Sequence, residues 1–375
     1  MLTAHPKGVA GAVARTLTGI PNNWAGIRFK VDRDQVVGQL LRSKEPSIRW
    51  KTRTWILEED PDSRGLRRLQ QEVAAAPRTR ALLQGRKRPG PRGVPLGVYH
   101  KWLGDHWALA HLAELGYPPG DRAVQPMVER AVEVWLRPSY FREWVAKSAA
   151  ETYRRVNADR GVPCIRGRHR RCASQQGNAL YYATKLGLSD DACDRLAERL
   201  IHWQWPDGGW NCDRNPSADT SSFGETLTPM RGLSAYGLSR RNSAARKAAL
   251  RASEVFLRRH LYRRTSDGRI IHWEFARLHY PLYWHYDILG ALKVLSRLGL
   301  ARDARCRDAL DLLEAKELPG GGWPAEGRYY DLPGQAPRRG TDRVDWESRG
   351  PVGNEWVTVD ALSVLRAAGR FTPKS

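Results

Sequence analysis

A Leu- and Ala-rich helix ending in a small glycine turn recurs five times along this chain, and that repeat constrains the fold more than any other feature. The turns align at Gly116 (HLAELGYPPGD), Gly187 (YATKLGLSDD), Gly237 (GLSAYGLSRR), Gly299 (LSRLGLARDA) and Gly369 (VLRAAGRFTP), at spacings of 71, 50, 62 and 70 residues. Each glycine fits the position just past a helix C-terminus, where a left-handed backbone suits a residue without Cβ. A second amphipathic helix usually follows, so the repeating unit is an αα-hairpin. One hairpin cannot cover its own apolar face, and hairpins therefore stack, as an open solenoid or as a closed ring. Strand signals are scarce, since no alternating segment is bounded by hairpin-turn dipeptides. The expected fold class is all-α.

The repeat occupies residues 99–375. Ahead of it, residues 1–33 show no periodicity and read as an irregular lead-in. Residues 34–85 carry helical periodicity (DQVVGQLLRS, SIRWKTRTWILEE, SRGLRRLQQEVAAA) and read as a small helical subdomain. A Pro- and Gly-rich stretch, GRKRPGPRGVPLG, makes 86–98 a linker.

Composition narrows the class. Of 62 basic residues 50 are Arg and 12 Lys, against 40 acidic ones, for a net charge of +22. The Arg residues are spread over the whole chain rather than gathered in a tail, which weakens the case for a polyanionic partner. Charged residues at 27% and hydrophobic ones at 41% exclude bulk disorder and fibrous classes. No apolar run approaches the ~18 residues that span a bilayer. The opening residues, MLTAHPKGVAGAVARTLTGI, make a poor signal peptide, and a cytoplasmic location is expected. Five cysteines, an odd number, suit reduced thiols or metal ligands better than a disulfide framework.

Aromatic, Gly-rich connections separate the hairpins: HWQWPDGGWNCDRNPSADTSSF at 202–223 and ELPGGGWPAEGRYYD at 317–331. Consecutive glycines let the backbone turn, and the following Trp210 or Trp323 can pack into the seam between hairpins. The Q-x-x-D-G-G-W string resembles the QW-type repeat of the prenyltransferase and squalene-cyclase superfamily, over roughly residues 100–370. That resemblance implies an α/α toroid of about five hairpins, inner helices surrounding a central cavity. It implies an isoprenoid or other hydrophobic ligand in that cavity, the reaction left unassigned. The superfamily's Asp-x-Asp-Asp, Asp-x-Cys and Mg²⁺-binding Asp-rich motifs are absent, so no complete catalytic set carries over.

In such toroids the N-terminal ends of the inner helices meet the ligand. Here those stretches are Lys101 to Trp107, Gln175 to Asn178, Ser221 to Glu225, Trp284 to Asp287 and Glu355 to Asp360. Trp102, Trp107, Asn178, Trp210, Tyr283, Trp284 and Glu355 are the candidate ligand contacts. His106, flanked by two Trp, is a candidate catalytic residue that core packing would equally explain. The densest segment, HWEFARLHYPLYWHYDILGALKVL, sets Asp287 at a helix start among aromatics, with His285 nearby as a base it could orient. Ser222 and Glu225 form S-x-x-E, a capping box. Cys164, His169 and Cys172 precede one inner helix and Cys212 the next, a Cys₃His set suited to zinc. Cys193 and Cys306 read as buried small hydrophobes. Two other classes stay open: a non-catalytic toroid that binds a ligand or protein, and, less favoured, nucleic-acid binding through Arg-rich 64–92 and 154–171.

Overall fold

The computed structural model describes residues 31–84, 97–148, 150–151, 161–332, 334–335, 339–347 and 352–374. Most of the lead-in, nearly all of the expected linker, and residues 85–92 and 154–160 of the Arg-rich segments lie outside the described residues.

The chain is mostly helical. At the N-terminal side lie α1 (Arg33–Leu41), α2 (Pro46–Lys51), which runs into a π-helical turn at Thr52–Ile56, α3 (Arg64–Ala75) and α4 (Pro77–Gln84). Then come α5 (Asp105–Leu115), α6 (Gln125–Trp135), the short α7 (Pro138–Phe141), α8 (Ala173–Lys185), α9 (Asp191–His202), α10 (Phe223–Ser239) and α11 (Ser243–Leu257). Helices α12 (Ile288–Arg297), α13 (Arg307–Ala315) and α14 (Glu355–Ala367) follow.

Two kinds of helix alternate, and their sequences explain why. In α9 the buried residues are Cys193, Leu196, Ala197 and Leu200, an i, i+3, i+4, i+7 stripe that buries one face and leaves the other to solvent. In α5 every residue from His106 to Ala113 is buried, and α8 is buried without a break from Gln176 to Thr184. Helices buried on every side lie inside, and α8 takes the polar Gln176, Asn178 and Thr184 in with it. Contacts run from α5 to α8, α10, α12 and α14 in turn, and the 46–56 segment touches both α14 and α5. The N-terminal segment sends Val36, Leu40, Ile48 and Trp50 into the same hydrophobic core as the repeats.

Helices α8 and α10 approach each other backbone to backbone. A Cβ on Gly177 would stand 2.4 Å from the Pro229 Cα, and one on Gly232 would stand 2.2 Å from the Gly177 carbonyl oxygen. Only hydrogen at both positions lets these backbones meet.

Gly116, Gly187, Gly299 and Gly369 adopt the left-handed conformation expected of helix ends. Gly237 does not. It lies inside α10, which continues to Ser239, and the left-handed turn falls on Arg241 instead. Its bare Cα faces α11, where a Cβ would approach the Arg246 amide to 2.9 Å. That glycine answers to packing, a demand that a turn pattern does not reveal.

The described residues also hold one small sheet, which the all-α reading omitted. β1 (Glu143–Val145) pairs parallel with β2 (Val162–Ile165), and β2 pairs antiparallel with β3 (Arg168–His169). The turn between β2 and β3 is Arg166–Gly167, both with positive φ. Strands this short show no alternation, and an Arg in the first turn position gives no hairpin signal.

Candidate functional site

A cavity of about 450 Å³ lies among α5, α8, α10, α12 and α14. Its inner end is walled by Trp107, Tyr280 and Tyr283, and its length by residues of the inner helices. It reaches Lys185, Leu238 and Arg297, at the C-terminal ends of α8, α10 and α12. The resemblance directs attention to the opposite helix ends, so only part of that set borders the cavity.

Four of the inner helices carry a charged residue within an otherwise apolar stretch: Glu114 in α5, Arg231 in α10, Lys293 in α12 and Asp360 in α14. These four meet. Glu114 accepts from Arg231 at 2.8 Å, from Lys293 at 3.3 Å and from the Tyr181 hydroxyl at 2.9 Å. Asp360 accepts from Lys293 at 2.6 Å and from the fully buried Lys51 at 3.3 Å. Burial opposes the Glu114 charge, but Lys293, Arg231 and Lys51 prevail and hold it well below the usual carboxylate range. Burial pulls Lys51 down, while Asp360 and Glu114 lift Lys293 against its own burial. Three cations thus share two carboxylates. Two further cations, Lys185 and Arg297, border the same cavity. Burial and then the Arg297 charge lower Lys185, and the Arg297 guanidinium lies 4.6 Å from the Trp55 ring centre.

Asp287 borders the cavity and is 1% exposed. Its Oδ1 caps α12 by accepting the Gly290 amide at 2.7 Å. Its Oδ2 accepts the His279 amide at 2.9 Å and lies 3.3 Å from His279 Nδ1. The imidazole it orients is therefore His279 and not His285. His279 Nε2 stands 2.7 Å from Glu274 Oε2, which puts the ring between two carboxylates. Burial works against its charge, yet Asp287 and then Glu274 raise its pKa above the ordinary value. His285 is stacked between Trp284 and Tyr329, and burial lowers it to about 3.

Of the other candidates, Trp107 and Tyr283 border the cavity. Trp102 lies behind Tyr283, stacked on it at 3.8 Å, with its indole donating to the Tyr329 carbonyl. His106 is enclosed by Tyr99, Trp107, Trp135 and Tyr182 and lowered to about 3 by burial, a neutral core histidine. Asn178 bridges His106 and Arg231, accepting from the latter at 2.7 Å. Trp284 is half-buried under Lys101, and Glu355, at the start of α14, accepts from Ser43. Trp210 is buried in a seam, its indole donating to the Leu200 carbonyl at 2.9 Å.

The Cys₃His set does not form one centre. Cys172 and Cys212 join Glu225, whereas His169 joins Glu143 and His202, and Cys164 belongs to neither group. The capping box is half made: Ser222 caps α10, but Glu225 turns away to accept the Ser174 amide at 3.0 Å. Cys193 and Cys306 are buried among apolar residues.

Sequence reasoning passed over Glu114, Arg231, Lys293 and His279. The first three carried a legible signal, a charge set within an apolar stretch of its helix, which folding leaves unpaired only at high cost.

No protein-family model matches the chain, and no curated protein matches it.

Proposed function

We propose that the chain is an α/α toroid of the prenyltransferase and cyclase type that takes a hydrophobic, isoprenoid-like ligand with an anionic head into its central cavity. The observation that carries this reading is the cavity wall, where aromatic and aliphatic surface meets a surplus of cations. The closed order of helix contacts supports the toroid, since the 46–56 segment touches both α14 and α5.

The ring faces favour binding over carbocation chemistry. Trp55 already faces Lys51 at 4.7 Å and Arg297 at 4.6 Å, and Tyr181 faces Arg231 at 4.0 Å. Those faces are taken by the protein's own cations, leaving less of the ring quadrupole for a ligand cation. Lys185, Arg297 and the partly committed Arg231 are the head-group contacts. Arg231 suits that role because its Nε is buried without a hydrogen-bond partner. His279 is the proton-carrying group beside the ligand.

Calorimetric titration with farnesyl diphosphate, farnesol and inorganic pyrophosphate tests this reading. The diphosphate should bind tightest, and Lys185→Met with Arg297→Met should weaken it at least tenfold while sparing farnesol. Equal affinity for pyrophosphate and farnesyl diphosphate, or no binding of any of the three, would overturn it.

A further inference from the structure

At the N-terminal end of α8, outside the residues that line the cavity, the ligand atoms of Cys172, Cys212 and Glu225 lie within 4.8 Å of one another. Cys172 immediately precedes α8. Arg170, buried beneath the Trp205 ring, donates to the carbonyls of Asp213 at 2.9 Å and Asn215 at 3.2 Å, which ties the loop carrying Cys212 against it. Glu225 offers one oxygen to the Ser174 amide and the other to Cys212 Sγ at 3.4 Å. Two donors of the cluster are thus held by neighbours that are not ligands themselves, as the ligands of metal sites commonly are.

The donor set is chemically distinctive. Two thiols and a carboxylate in a half-buried place repel one another once ionised, and a divalent cation removes that repulsion. Sulfur donors exclude Mg²⁺ and Ca²⁺, which take oxygen ligands in larger numbers, and suit a thiophilic ion held tetrahedrally. With Zn–S at ~2.3 Å and Zn–O at ~2.1 Å, a tetrahedral S···O edge is ~3.6 Å, near the separation of Cys212 and Glu225. The Glu143, His169 and His202 group fits less well. Its Glu143 carboxylate already accepts from Arg199 at 2.6 Å and from the Trp203 indole at 3.0 Å.

We propose that Cys172, Cys212 and Glu225 bind a zinc ion with one coordination position left open. Binding releases the thiol protons to solvent, so affinity rises with pH. Three protein ligands with a fourth position free is the arrangement that admits water or a substrate atom. The proposal does not depend on the cavity ligand.

Titration of the reduced full-length chain with Co²⁺ tests it. A saturable thiolate-to-cobalt charge-transfer band at one ion per chain, displaced by Zn²⁺, is the expected result. Cys172→Ser and Cys212→Ser should each remove about half of the band and weaken Zn²⁺ binding at least about 10-fold, while Cys164→Ser and His169→Ala leave both unchanged. Protection of the unaltered chain from iodoacetamide keeps the test independent of variant folding: Zn²⁺ should shield Cys172 and Cys212 but not Cys164. A reduced chain with no saturable band, alkylation indifferent to saturating Zn²⁺, or a Cys172–Cys212 disulfide that re-forms in the presence of Zn²⁺ would overturn it.

Discussion

Trp210 and Trp323 make the same hydrogen bond in two different repeats: each indole N–H donates to the backbone carbonyl ten residues earlier, Leu200 at 2.9 Å and Leu313 at 2.7 Å. Each also donates its own backbone amide to a threonine hydroxyl, Thr226 at 3.2 Å and Thr358 at 2.9 Å. The Gly-Gly-Trp connection is therefore a fastener between an outer helix and the next inner one. Trp323→Phe removes the indole's hydrogen bond and leaves the Leu313 carbonyl with the Lys316 amide alone, at about 0.5–1.5 kcal/mol. Urea denaturation should show that loss, with affinity for the cavity ligand unchanged.

The α8–α10 contact has no room for a methyl group. Gly232→Ala places Cβ against the Gly177 carbonyl and should cost about 1–3 kcal/mol or more through overpacking. Gly320→Ala, where nothing lies within 4 Å, serves as the control and should stay within about 0.5 kcal/mol. Equal melting temperatures for the two variants would contradict the packing described above.

Removing Glu114 leaves Lys293 and Lys51 paired with Asp360 and takes from Arg231 its carboxylate partner. Glu114→Gln should destabilise the fold by about 3–5 kcal/mol, the range for breaking a buried ion pair on one side. Adding Lys51→Met should recover part of that loss, because it removes one uncompensated charge. A double-mutant cycle in urea measures the coupling, and strict additivity would show that the two groups do not interact.

His106 and His285 are lowered to about 3, so the folded chain binds fewer protons than the unfolded one below the ordinary histidine value of 6.5. Their contribution is present above pH 6.5 and is lost as pH falls from there toward 3. The unfolding free energy from urea titrations should fall as pH drops from 6.5 to 4, and His106→Gln should flatten that slope by up to about 1.4 kcal/mol per pH unit. An unchanged slope would place the acid lability elsewhere.

His279 has the opposite sign. Its pKa is raised by Asp287 and Glu274, so its contribution is full below pH 6.5 and disappears as pH rises through the higher folded value. Asp287→Asn keeps an N-cap for α12, whose replacement alone costs little, but removes the charge beside the ring. Nitrogen-15 NMR of the imidazole should show its titration moved to lower pH. A His279 titration identical in both proteins would remove the positioning role assigned to Asp287.

How much of this was readable in advance divides along chain distance. Helix ends at Gly116, Gly187, Gly299 and Gly369, the Asp287 cap and the one-sided burial of α9 all follow from residues within about four positions of one another. Gly237 escaped because its requirement comes from α11, and the β2–β3 turn because an Arg occupies a position usually marked by Asn or Gly. The charge network joins residues separated by 117, 179 and 309 positions, Arg231 to Glu114, Lys293 to Glu114, and Lys51 to Asp360. The sequence shows each as a charge its helix cannot satisfy, and only the tertiary arrangement says which partner satisfies it. Glu225 makes the same point at one residue: its position in S-x-x-E predicts a bond to its own helix, whereas the approach of Ser174 and Cys212 supplies a donor from another helix and a thiol from the preceding loop. Local periodicity determined the helices themselves. Which charges and thiols converge was decided by packing, because groups that share no helix turn meet only when the inner helices close on one another.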